Sequence, residues 1–286
     1  MGQKLDYYKF RNMTNPFGIL FHPLALEKFI GFAIKGKTFT EADIFFHNGC
    51  WHCYDAHSDL SHPDMGAILE NLNAAGALAK AEINAATHLI ITLGTAWVYR
   101  HSESGNLVAN CHKVPQKQFT KELLSVEAIK QSVENIISMV KDANPSAHII
   151  FTISPVRHIK DGFMQNQWSK ANLISALHET LAVPPLGVTG LYFPSYEIMM
   201  DELRDYRFYA QDMIHPNQTA IDYIWERFAD AFLSTEAHKT MQEVESIQKA
   251  LSHRPFNPGT EQHQQFLSSV NDRITTLKQK FPHFSF

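Results

Sequence analysis

The chemistry most readily read from this sequence lies in Asp212-Met213-Ile214-His215-Pro216-Asn217. A carboxylate and an imidazole three residues apart, in a turn ahead of a helical pattern, can face the same way. The carboxylate then holds the ring in one tautomer and supports its charged form. A general base needs that support when it takes the proton of a hydroxyl nucleophile. The same residues also suit a plainer role, an Asp capping a turn beside an exposed His. A second group is Ser154-Pro155-Val156-Arg157-His158. The planar fork of Arg157 suits a substrate carboxylate or phosphate, or equally an internal acid. A third is Cys50-Trp51-His52-Cys53, with His47 and His57 near by. A Cys-x-x-Cys pair anchors zinc when two further ligands follow at suitable spacing. No second pair follows and Cys111 stands alone, so no metal is expected. The stretch reads instead as a loop over the mouth of the site, with His57 as a substrate contact.

These residues need elements to position them. Residues 88–93 and 148–153 are short, apolar on both faces and end in turns, as buried strands do. Weaker strands are expected at 43–46 and 190–193. Helical patterns run over 23–33, 65–85, 126–141, 167–181 and 218–233, with Asp64 and Asn217 as caps. Strands alternating with helices predict an α/β fold with a mostly parallel sheet covered on both faces. Ligands bind such a sheet beyond the carboxyl ends of its strands. Polar groups collect there: Gly94-Thr95-Ala96-Trp97, Ser154 to His158, the Asp212 turn and, near the front, Asn15-Pro16-Phe17-Gly18. Beyond Ser234 two polar helical stretches, 236–251 and 261–280, flank a breaker at 254–259. The expected division is an α/β domain over 1–233 and a C-terminal helical appendage over 234–286.

Bulk properties narrow the classes. A chain of 286 residues with 44% hydrophobic and 12% aromatic residues can build a sizeable core. A net charge of −4 without long single-sign runs gives no reason to expect nucleic acid or an anionic membrane as partner. No stretch approaches the roughly 20 apolar residues of a membrane span. The first residues lack a signal-peptide core, and three cysteines make no disulfide framework, so a cytoplasmic location is expected. No glycine-rich phosphate motif is present, and no cofactor is expected.

Four stretches in order also resemble the bacterial GSCFA family, a branch of the SGNH hydrolase-like superfamily. They are Asn15 to Pro23, Thr92 to Tyr99, Ser154 to His158 and Asp212 to Asn217, spread over roughly residues 1–230. The resemblance implies a three-layer, flavodoxin-like sandwich with strand order 2-1-3-4-5. It implies hydrolysis of an ester, such as an acyl group on a carbohydrate or lipid-like molecule. His215 would act as base and Asp212 would orient it. Gly18 matches the glycine whose N–H helps bind the oxyanion. Gly94 and Thr95 stand in the block that normally reads Gly-x-Asn-Asp, leaving the Thr95 hydroxyl in place of an Asn amide. Asn15, His57, Arg157 and His158 would contact substrate.

The family's Gly-Ser-Cys-Phe-Ala motif, whose serine is the nucleophile, does not occur in this sequence. The resemblance therefore implies a chain that begins just after the nucleophile and its strand. Such a chain is expected to be inactive on simple esters and to express poorly or associate. The alternative is a ligand-binding domain that retains the pocket without catalysis.

Overall fold

A computed structural model describes residues 1–182, 190–257 and 259–286. A short helix α1 (Gly2–Tyr7) precedes α2 (Pro23–Lys35), a hairpin of β1 (Phe45–His47) and β2 (Cys50–His52), and α3 (Met65–Ala85). Then come β3 (His88–Leu93), β4 (Trp97–His101), β5 (Leu107–Val108), β6 (Phe119–Leu123) and α4 (Val126–Ala143). The next elements are β7 (His148–Ile153), α5 (Phe163–Leu181), β8 (Gly190–Phe193) and the helical turn α6 (Ser195–Glu197). The chain ends with α7 (Gln218–Phe232), α8 (Thr235–Ser252) and α9 (Glu261–Lys280). By its internal contacts it divides into Asn15–Ile221 and a second unit of Met1–Thr14 with Asp222–Phe286.

In the unit Asn15–Ile221, β7 is apolar or β-branched from Ile149 onward, and every one of those residues is buried. A strand covered on both faces needs such a run. It pairs in parallel with β3, His88 opposite His148 through Leu93 opposite Ile153. On its other side it pairs in parallel with β8, Ile149 opposite Gly190. Ile129, Val133, Ile136 and Val140 of α4, with Leu173, Ala176 and Leu177 of α5, close on this sheet. Each such side chain taken fully out of water contributes about 1.5–3 kcal/mol. Local signals set the helix ends. Pro23 opens α2 behind His22, whose Nδ1 accepts the Ala25 N–H at 3.1 Å, and Gly36 ends it at φ 67°. Asp64 caps α3, and Asn217 accepts the Ala220 N–H in the first turn of α7 at 3.1 Å.

Two expectations need correction. The strand expected at 43–46 starts later, as β1, and pairs antiparallel with β2 outside the parallel sheet. The helix expected from residue 167 starts at Phe163. The residues after Leu93 add elements for which no expectation was stated. They return as β4, the middle strand of a second, antiparallel sheet ordered β5-β4-β6. There Arg100 grips Glu122 with two N–H bonds of 2.8 and 3.0 Å, and Lys121 lies 4.7 Å from the Trp97 ring centre.

The second unit has its own small core of Val244, Ile247, Val270, Leu277 and Phe284, with Tyr8 packed against it. Tyr8 also stacks on Trp225 at 5.6 Å, and Lys4 pairs with Asp222. Among the described residues no helix is long and apolar enough to cross a membrane.

Candidate active site

The Asp212–Asn217 turn is built from its own polar atoms. Asp212 Oδ1 accepts the N–H groups of Ile214 (2.9 Å) and His215 (3.0 Å). Its Oδ2 lies 2.7 Å from His215 Nδ1. The turn-capping role and the imidazole-holding role thus coexist, one on each carboxylate oxygen. Those three bonds hold the Asp212 carboxyl down at about 2, so it stays ionised at any pH of interest. An anion facing Nδ1 requires a proton there and leaves Nε2 as the basic nitrogen. Among the described residues no hydroxyl or thiol bonds to Nε2. Both side chains are about half exposed.

The turn is clamped from the segment after β7. Arg157 donates its backbone N–H to Ile214 O at 3.3 Å and a guanidinium N–H to Met213 O at 3.0 Å. Met213 sits at φ 59°, a left-handed conformation that costs a non-glycine residue about 1 kcal/mol or more. The guanidinium also lies 5.4–5.9 Å from the ring centres of Phe163, Tyr206 and Tyr209. The internal acid weighed as its partner is replaced by a backbone carbonyl and three aromatic faces.

Next along the sheet end, His158 donates its backbone N–H to Asn166 Oδ1 at 2.8 Å, and its ring meets the edge of Phe21 with centres 5.9 Å apart. Burial, and next to it the charge of Lys170, push the His158 imidazole down to about 4, so it is neutral at pH 7. On the far side of Phe21 lies His57, ring centres 6.4 Å apart. Its Nδ1 is 3.0 Å from Asp59 Oδ2, and its N–H bonds Phe17 O at 2.9 Å. Phe21, His57 and His158 thus form one row, which brings the expected contacts His57 and His158 together. Asn15, exposed and at φ 48°, lies at the start of the neighbouring turn.

The expected oxyanion donors are committed within the protein. Gly18 N–H closes its turn on Asn15 O at 2.8 Å. Gly94 and Thr95 N–H both point at Phe21 O, at 2.8 and 3.0 Å. The Thr95 hydroxyl accepts the Trp97 N–H and shares a 3.1 Å bond with Ser169 Oγ. The physical reason is that Phe21 O, a carbonyl just ahead of α2, needs donors and finds them in the turn after β3. Gly18 still requires glycine. It sits at φ 71°, and a Cβ there would lie 2.2 Å from His57 Cβ. Gly18→Ala is expected to cost about 1–3 kcal/mol and to displace His57. Thermal melts should show a drop of several degrees, at about 2–4 °C per kcal/mol. An unchanged melting temperature would refute this packing.

Sequence reasoning missed Asn166, Ser169 and Lys170 of α5. Lys170, 1% exposed, donates to Gly94 O (2.7 Å) and Ser154 O (2.6 Å), tying together the turns after β3 and β7. Burial alone pushes its amine down to about 7. The signal was available. Residues 166, 169, 170, 173, 176, 177 and 180 form the buried stripe of α5, so four polar residues, Thr180 among them, stand on that face.

The cysteine-histidine stretch is occupied by structural bonds. His52 bonds Ser61 Oγ (2.6 Å) and His47 O (3.0 Å), and His112 bonds Cys53 O (2.7 Å). Cys53 is buried, which pushes its thiol up to about 12. Cys50 and Cys111 are free and half-buried.

Comparison with family models matches residues 1–228 to the GSCFA family and residues 244–286 to the C-terminal domain of GSCFA domain proteins. The chain belongs to the GSCFA family. No curated protein and no solved structure matches it.

Proposed function

We propose that this GSCFA-family chain supplies the acid–base half of an SGNH-type ester-hydrolysing site, set in a three-layer α/β sandwich. His215 Nε2 takes a proton from a serine hydroxyl as it attacks the ester carbonyl, then returns it to the leaving alcohol. Asp212 fixes the tautomer and supports the imidazolium. Phe21, His57 and His158 line the substrate's approach, with Gly18, Gly94 and Thr95 shaping its floor. The substrate is an ester of an acyl group with a carbohydrate or a lipid-like alcohol. The observation that carries this reading is the 2.7 Å contact of Asp212 Oδ2 with His215 Nδ1 in an exposed turn, with Nε2 unpartnered among the described residues.

A second reading, a non-catalytic ligand-binding domain, draws support from Nε2 having no hydroxyl partner and from the committed N–H groups. One experiment separates the two. The 286-residue chain and a version carrying a strand and the Gly-Ser-Cys-Phe-Ala motif ahead of Met1 are assayed on short-chain aryl esters. The chain as it stands is expected to show no turnover above a His215→Ala control. The extended protein is expected to acquire turnover. Extended protein that folds cooperatively and stays inactive would favour the binding domain. Turnover by the 286-residue chain that His215→Ala removes would show that it already holds a nucleophile.

A further inference from the structure

Beside the Asp212 turn lies a cavity of about 220 Å³ lined by Arg157, Phe163, Asn166, Gln167, Tyr196 and Met200. At roughly 30 Å³ per water, it holds about seven water-sized atoms. Its walls divide into two kinds. Phe163 and Met200 are apolar. Arg157 and Asn166 carry N–H groups that no atom of the described residues accepts. Asn166 is only 6% exposed. Its Oδ1 is identified by the backbone N–H of His158 that it accepts, so its Nδ2 is the atom left over. An acceptor placed in the cavity could take the N–H groups of that nitrogen. Arg157 uses one guanidinium N–H on Met213 O, and among the described residues nothing accepts from its Nε or its other terminal nitrogen. Gln167 Oε1 accepts from the Tyr196 hydroxyl at 2.8 Å, so that acceptor is occupied. Among the described residues no carboxylate lines the cavity. A cation and a buried amide donor with short apolar walls complement a small anion on an aliphatic chain.

We propose that this cavity is the subsite for a short acyl chain ending in a carboxylate, as in a half-ester of a four-carbon dicarboxylic acid. The free carboxylate would sit on Arg157 and Asn166, and the methylenes would lie against Phe163 and Met200. The placement rests on the hydrolase reading: Arg157 bonds the Met213 carbonyl and Asn166 bonds the His158 backbone N–H, so two lining residues are tied to the segments that carry His215 and His158. The subsite itself is testable without turnover.

Binding of monomethyl succinate and of dimethyl succinate to the 286-residue chain is measured by titration calorimetry at pH 7. The charged half-ester is expected to bind at least tenfold more tightly than the neutral diester. Asn166→Asp, which keeps the acceptor for His158 N–H and sets a negative charge in the cavity, is expected to weaken half-ester binding at least tenfold. If that variant does not melt cooperatively, Gln167→Glu at the rim replaces it, with a several-fold loss expected. Equal affinity for the two esters, or insensitivity to both charge variants, would overturn the subsite. So would inorganic phosphate binding as tightly as the half-ester, which would make the cavity a general anion site. Half-ester binding without hydrolysis by the motif-bearing protein would leave the subsite standing and remove the hydrolase reading.

Discussion

In a protein that joins the Gly-Ser-Cys-Phe-Ala motif to this chain, His215→Ala is expected to lower kcat about 10⁴-fold or more, the loss seen when a triad base is removed. Asp212→Asn is expected to cost about 10⁴ for a different reason. Asp212 Oδ1 accepts two backbone N–H groups, and an asparagine oxygen can keep both. Its amide nitrogen then faces His215 Nδ1 and donates to it, which moves the imidazole proton to Nε2. The ring would remain in place with its basic nitrogen blocked. Both variants should melt within a degree or two of the parent, because the side chains are half exposed. Steady-state kinetics and thermal melts on the three proteins check this. A loss under tenfold in either variant would remove the pair from the mechanism. Because Asp212 stays ionised to about pH 2, any fall of kcat between pH 4 and 7 must belong to another group.

The second large effect is on stability and comes from Lys170. Its amine titrates near 7 in the folded protein, against an ordinary 10.5. Between those values the unfolded chain binds a proton that the folded one does not, so stability rises with pH across the window. Below about pH 7 both forms are charged and the full burial penalty is present, on the order of 5 kcal/mol. Lys170→Met keeps the stem and removes the charge, but leaves Gly94 O and Ser154 O without their donor, a cost of about 1–3 kcal/mol. The melting temperature of the parent minus that of the variant should therefore be flat below pH 7. It should climb by about 8–16 °C between pH 7 and 10, at about 2–4 °C per kcal/mol. Groups common to both proteins cancel in the difference. A difference that stays constant from pH 6 to 10 would show that the amine is not held in a dehydrated site.

The parts of the fold visible in the sequence are those whose causes are local. Helix Met65–Ala85 begins where Asp64 caps it, and β3 and β7 are short apolar runs between turns. The antiparallel sheet was hidden because Trp97–His101 finds its partner about twenty residues later, in Phe119–Leu123. Neither run alternates cleanly enough to announce a strand. The candidate site divides the same way. Asp212 and His215 are three residues apart, so their meeting is a property of one turn. Where the Gly18, Gly94 and Thr95 N–H groups go depends on Asn15 O and Phe21 O, which no spacing rule reveals. Lys170 and Asn166 were overlooked because a polar residue in a helix is ordinarily assigned to the solvent face.

Arg157 holds Met213 O with one part of its guanidinium and faces the cavity with the rest. Met213 is the left-handed residue of the turn that carries His215. Occupancy of the cavity and order in that turn are then thermodynamically linked through a single side chain, and such linkage is reciprocal. By whatever factor an anion in the cavity favours the clamped turn, the clamped turn favours the anion. A cavity ligand would thus act as an effector of His215 orientation, and a turn relaxed at residue 213 would lose affinity for a ligand it never touches.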